Sequence, residues 1–333
     1  MTTTAGPPTR RRSDHAALII DSDATVEQLL VPVLRHHVAE GTPALLVVGP
    51  HTERVLRTRL GRDAEALEWG ARETFYQRLG FAFAGFRDYL REQHARGRRV
   101  HVIAEPDVMT GVDAPADRVA AYLGYESVCG EVYAPYGCPI TCLWDSRRHP
   151  TLVIEGVRSI HDHELTVDGR VENDGYIPAA QYLSGRADVA MLPPPDTAEL
   201  DVVVTDLREL IGFRAAIGRW AQERDFAELA ADHVVSATNE VVTNGMRHGV
   251  PPVRVRAWHH DATLVVHVED QGGHPIPADA GYRPPARPGD GAGLWIARQL
   301  ADVLLTQSAE GRTAVRLHFP HEVTHRGLEA RAN

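Results

Sequence analysis

Three consecutive prolines, in MLPPPD (191–196), most constrain what this chain can fold into. Proline has no amide hydrogen to give to a helix interior or a central strand, so neither element runs through this point. The hydrophobic pattern also changes across it. A chain of 333 residues favours two domains over one. We therefore expect one domain over 13–190, a linker over 191–200 and a second domain over 201–322.

Upstream, short apolar strands alternate with amphipathic helices. HAALII (15–20), PALLVVG (43–49), RRVHVIAE (98–105) and CPITCLWD (138–145) read as strands. Helices are expected at 26–41, near 52–60, as one long element over 72–96, and at about 115–130. This alternation implies α/β architecture, a doubly wound, mostly parallel sheet covered on both faces. Residues 164–185 read as a small polar extension with turns at Asp168–Gly169 and Asp174–Gly175. The sheet looks RecA-like or Rossmann-like, yet the chain has no phosphate-binding G-x-x-x-x-G-K-Ser/Thr motif.

Downstream the order differs. DVVVT (201–205) is a strand, followed by helices at about 206–223 and 227–247. The second helix is expected to bury Val234, Val235, Ala237, Val241, Val242 and Met246. VRVRAWHH (253–260) and ATLVVHVED (262–270) form a hairpin joined at Asp261. A helix at 291–302 and strands near 303–308 and 313–319 complete the pattern, an α/β sandwich with a mostly antiparallel sheet and helices on one face.

Net charge is −10 and the pI is near 6.0, which argues against a protein that binds nucleic acid by neutralising phosphates. Arg10, Arg11 and Arg12 are the one basic cluster, in a Thr/Pro-rich stretch (1–12) read as a disordered leader; 323–333 reads as a tail. No apolar run follows that cluster as in a signal peptide, and none is long enough to span a membrane. Three cysteines, Cys129, Cys138 and Cys142, suit a reducing compartment, so a cytoplasmic location is expected. Cys138, Cys142, His161 and His163 invite a metal-site reading, but their spacing matches no common zinc pattern. Buried thiols acting as small hydrophobes are the expectation there, and the pairs His36–His37 and His259–His260 are read as surface residues.

Chemistry concentrates in the second domain. Glu240 and Asn244 lie four apart and share one face of the 227–247 helix. A carboxylate in a cleft can accept a hydroxyl proton, and an amide oxygen is a hard ligand suited to Mg²⁺. Asp270 ends an apolar strand, placed to accept from an exocyclic amine, and Gly272 and Gly273 leave room for a flat base. Gly289, Gly291 and Gly293 precede a helix whose first N–H groups suit phosphate oxygens. The Pro/Gly-rich loop between (274–290) carries Arg283 and Arg287.

In this order the pieces resemble the ATP-binding GHKL (Bergerat-type) fold. E-x-x-x-N is Glu240 to Asn244; D-x-G-x-G is Asp270-Gln271-Gly272-Gly273-His274, its last glycine displaced; G-x-G-L is Gly291-Ala292-Gly293-Leu294. EVVTNGMRHG (240–249), ending in His248 and Gly249, is most similar to the anti-sigma-factor serine kinases, whose helix runs E-x-x-T-N-x-x-x-H-G. The resemblance covers roughly 200–322. It implies ATP and Mg²⁺ as cofactors, Asn244 on the metal, Asp270 on adenine, the glycine turn on the phosphates, and Arg283 or Arg287 near the γ-phosphate. Glu240 is then the base for a serine of a STAS-type anti-sigma antagonist, and a sigma factor is the second partner. Homodimerisation is implied as well.

The first half resembles the MEDS sensory domain through His15, Glu105–Pro106, Tyr125–Glu126 and the pair Cys142 and Asp145. The family usually carries an aromatic near position 20, where this chain has Ile20–Asp21. That resemblance covers about 13–165 and implies a sensing role for an unspecified ligand. Two other readings compete. A regulator that only binds its partners needs no base, and Glu240 argues against it. A sensor histidine kinase needs a phosphoacceptor histidine in a two-helix hairpin before the ATP domain, whereas only the 206–223 helix stands there, without a histidine.

Overall fold

The computed structural model describes residues 14–76, 78–106, 115–185, 191–272, 274–285, 291–309 and 311–321. Its strands form two sheets. The first contains β1 (His15–Ile20), β2 (Ala44–Val47), β3 (Glu68–Trp69), β4 (His101–Ala104), β5 (Ile140–Asp145), β6 (His163–Thr166) and β7 (Gly169–Glu172). Their order is β3-β2-β4-β5-β1-β6-β7, parallel throughout except for the β6–β7 hairpin at the sheet edge. That hairpin turns at Val167 and Asp168, with Gly169 opening β7, so residues 164–172 of the polar extension belong to the sheet.

Side chains alternate between two cores, as a doubly covered sheet requires. Ala17, Leu45, Val102, Cys142 and Trp144 face one; Leu18, Leu46, Ile103 and Leu143 face the other. After the short α1 (Asp23–Thr25), α2 (Val31–Glu40) and α3 (Pro50–Leu60) cover the second core. The first is covered by α5 (Leu79–Ala95), α6 (Pro115–Tyr133) and α7 (Thr151–Ile160), joined by α8 (Ala179–Gly185).

The single helix expected over 72–96 is in fact broken into α4 (Arg72–Phe75) and α5. Arg78 between them is extended, and its Nε donates to the Gln299 carbonyl at 3.0 Å. A long-range bond to the far half of the chain overrides the local periodicity. Helix α7 was not anticipated, although Val153, Ile154, Val157 and Ile160 recur at helical spacing and are buried.

The second sheet contains β8 (Leu200–Val204), β9 (Val253–His260), β10 (Thr263–Asp270), β11 (Val303–Ala309) and β12 (Arg312–Pro320). Its order is β11-β12-β10-β9-β8, antiparallel throughout. Helices α9 (Leu210–Gln222), α10 (Glu228–His248) and α11 (Ala292–Leu300) pack on one face, over Val255, Leu264, Val266, Leu317 and Phe319. On α10, Val234, Ala237, Val241 and Val242 are buried as expected, whereas Val235 and Met246 are only half-buried. These are the mostly parallel N-terminal sheet and the antiparallel, GHKL-like C-terminal sheet that the pattern implies.

The two halves share packing. Tyr282, Val303 and Leu305 of the second half join the core beneath α5 and α6. Arg118 on α6 donates to Asp302 (Nε–Oδ2 2.7 Å), and Asp302 Oδ1 also accepts from the Leu79 amide at 3.3 Å. This ion pair is buried on both sides. Gly80 lies so close to the end of α11 that a methyl group there would overlap the Arg298 carbonyl oxygen. Among the described residues no helix is long and apolar enough to cross a membrane.

Candidate nucleotide site

Helix α10 is held by its apolar face, which leaves Glu240 and Asn244 half-buried on the side that meets α11. Gly291 adopts a left-handed conformation (φ 59°) and turns the chain into α11. Gly293 then lies directly against both polar side chains. A methyl group on it would stand 2.9 Å from Asn244 Nδ2 and 2.9 Å from Glu240 Oε2. The first and third motifs therefore touch, and only glycine allows it.

Asp270 ends β10 and is buried along the last turn of α10. A methyl on Gly249 would overlap its carboxylate, and one on Gly245 would stand 3.4 Å from Oδ2. Oδ1 accepts the Gly272 amide hydrogen at 2.8 Å. Burial raises the Asp270 carboxyl above its ordinary range, while hydrogen bonds from the Gly272 and Val250 amides oppose that rise. Gly272 has φ 94°, and a methyl there would meet the Gly311 carbonyl oxygen at 2.5 Å, so β10 leaves the sheet tight against the β11–β12 turn.

The remaining motif residues fall around this centre. Leu294 is half-buried against the second-domain core and touches Gly281 of the preceding loop. His248 is exposed at the end of α10, followed by Gly249. Arg283 is not brought to the motifs. Its Nη2 pairs with Glu131 Oε2 on α6 at 2.5 Å. Gly273 and Arg287 lie outside the described residues.

Carboxylate and amide oxygens side by side above a bare backbone form a hard-donor cradle that suits Mg²⁺, and Gly291 caps α11 without a side-chain hydrogen bond, leaving N–H groups for an anion. Sequence reasoning missed Arg298, which is buried on the same helix. Its guanidinium lies 3.9 Å from the Tyr282 ring centre and donates to the Ala280 and Leu304 carbonyls. Tyr282 in turn meets Tyr125 of α6 edge-on, 5.0 Å between ring centres. An arginine in an amphipathic helix carries no sequence signal for such a role.

Two family models match separate stretches of the chain. Residues 14–162 match MEDS, the methanogen/methylotroph, DcmR sensory domain, and residues 203–319 match the histidine kinase-like ATPase domain. Similar solved structures include the RsbU and RsbW domains of Rv1364c from Mycobacterium tuberculosis (18% identity, TM-score 0.29). That match covers 36% of this chain and 31% of the other, so the chain spans about a third of that relative's length. Another is the histidine kinase domain of the E. coli osmosensor EnvZ, at 19% identity and TM-score 0.24, covering 38% of this chain and 92% of that one. No curated protein matches. The ATPase family implies a site for ATP in the second half. The chain is thus a MEDS sensory domain followed by a histidine kinase-like ATPase domain.

Proposed function

We propose that the second domain is an anti-sigma serine kinase: it binds ATP with Mg²⁺, phosphorylates a serine of a STAS-type antagonist and sequesters a sigma factor, under control of the MEDS domain. The observation that carries this reading is the seating of Gly293 against Glu240 and Asn244, together with the E-x-x-T-N-x-x-x-H-G pattern of 240–249. Asn244 holds Mg²⁺ through its amide oxygen, and Mg²⁺ supplies charge neutralisation at the phosphates. Asp270 accepts from the adenine amine, with Gly272 beside the base. Backbone N–H groups from Gly291 to Leu294 face the phosphates, and His248 and Gly249 border the site. Glu240 takes the serine proton as that oxygen attacks the γ-phosphorus and ADP departs. Arg283 serves the γ-phosphate only after release from Glu131; Arg287 is the other candidate.

The test is labelled-phosphate transfer from ATP–Mg²⁺ to candidate antagonist proteins. Wild type transfers, and Glu240→Gln loses transfer while keeping ATP affinity. A chain that binds sigma factor but transfers to no antagonist would instead be a binding-only regulator.

A further inference from the structure

Four buried side chains of the MEDS domain converge from four different elements. His15 opens β1, Cys142 lies within β5 beside it, Glu126 comes from the middle of α6, and His161 follows the end of α7. All are nearly inaccessible, at 2%, 4%, 3% and 0% exposure in that order. His15 Nε2 stands 3.3 Å from Cys142 Sγ and 3.3 Å from Glu126 Oε1, and His161 Nε2 is 3.1 Å from the same carboxylate oxygen. One donor atom from each of the four lies within 4.8 Å of every other.

We infer that this quartet is a binding site for a divalent transition-metal ion of the zinc class. Zinc bonds of about 2.0–2.3 Å to nitrogen, oxygen and sulfur in a tetrahedron place neighbouring donors roughly 3.3–3.7 Å apart. The three short separations of 3.1–3.3 Å sit at the lower edge of that range, and the widest, at up to 4.8 Å, closes by about an ångström around an ion. A mixed nitrogen, thiolate and carboxylate set selects zinc-class ions over Mg²⁺ or Ca²⁺.

Hydrogen bonding supports a cation here. His161 Nδ1 is 2.8 Å from the Val157 carbonyl oxygen, which can only accept, so Nδ1 carries a hydrogen. In that tautomer Nε2 presents its lone pair to the Glu126 carboxylate, a repulsive contact unless a metal ion or a second proton lies between them. A backbone carbonyl fixing the far nitrogen is also how metal-ligating histidines are commonly oriented. Beside the quartet is a cavity of about 40 Å³ bordered by His15, Glu126 and Cys142, enough for a water. His15 also lines a wide outer cleft of about 1140 Å³, an entry route.

The experiment uses the full chain, stripped with chelator and titrated with Co²⁺. We expect one ion per chain and a thiolate-to-cobalt charge-transfer band in the near ultraviolet. Cys142→Ser should abolish that band, whereas Cys138→Ser should keep it. Should Cys142→Ser fail to fold by circular dichroism, X-ray absorption of the wild-type cobalt protein decides, with one sulfur in a nitrogen/oxygen shell expected. No charge-transfer band in folded wild type, a band that survives in folded Cys142→Ser, or a sulfur-free shell would overturn the assignment and leave a proton-bridged quartet.

Discussion

A methyl group on Gly293 or on Gly272 would collide with a neighbour, but with neighbours of opposite kinds. Around Gly293 the obstructing atoms are the tips of Asn244 and Glu240, which rotate away at little cost to the fold. Gly293→Ala should therefore leave the melting temperature nearly unchanged yet weaken ATP–Mg²⁺ binding by about tenfold or more, roughly 1.4 kcal/mol, because the displaced atoms are the proposed functional ones. Around Gly272 the obstruction is the Gly311 backbone, and φ is 94°. Gly272→Ala should cost about 1–3 kcal/mol of stability. Calorimetric titration with a non-hydrolysable ATP analogue, paired with thermal melts, separates the two. Equal loss of stability in both variants would refute the distinction.

At the scale of elements, α5 makes the same comparison within one helix. A methyl on Gly80 collides with the Arg298 backbone, whereas one on Gly85 meets nothing within 4 Å. Gly80→Ala should lower stability by about 1–3 kcal/mol as overpacking does; Gly85→Ala should raise it by about 0.5–1 kcal/mol through helix propensity. Melting curves read both signs. The break before α5 also marks where the sequence stopped being legible. Alternating strands and helices and the three nucleotide motifs were readable because they are local periodicities and spacings. The break between α4 and α5 was not, since Arg78 is diverted by a carbonyl more than two hundred residues away. The partnership of Arg283 with Glu131 was invisible for the same reason. Of the four cysteines and histidines considered together for a metal, Cys142 and His161 do converge, but with His15 and Glu126 rather than with Cys138 and His163. Only the packing of α6 and α7 on β1 and β5 brings those four together.

For the whole molecule, buried histidines set the acid limit. Burial lowers His267 and His318 to about 4 and His101 to about 3. The native chain keeps them neutral, while the unfolded chain protonates them near its ordinary value of about 6.5. Unfolding therefore takes up protons, and their stabilising contribution is complete above that value and drains away as the pH falls through 6.5 towards 4. Melting temperature should drop between pH 7 and 5, with a shallower slope in His318→Gln; an unchanged slope would remove His318 from this account. The placement of α11 has a further consequence. Its N-terminal end carries the glycines of the nucleotide motif, and its other end, roughly 13 Å away at 1.5 Å per residue, is gripped from the MEDS side by Arg78 and Gly80 and, through Asp302 just beyond the helix, by Leu79 and Arg118. If occupancy at one end biases the position of this helix, thermodynamic reciprocity requires an equal bias in the other direction. The affinity of the sensory half for its own ligand, measured with and without nucleotide, would then read the strength of the signal without any knowledge of the downstream partner.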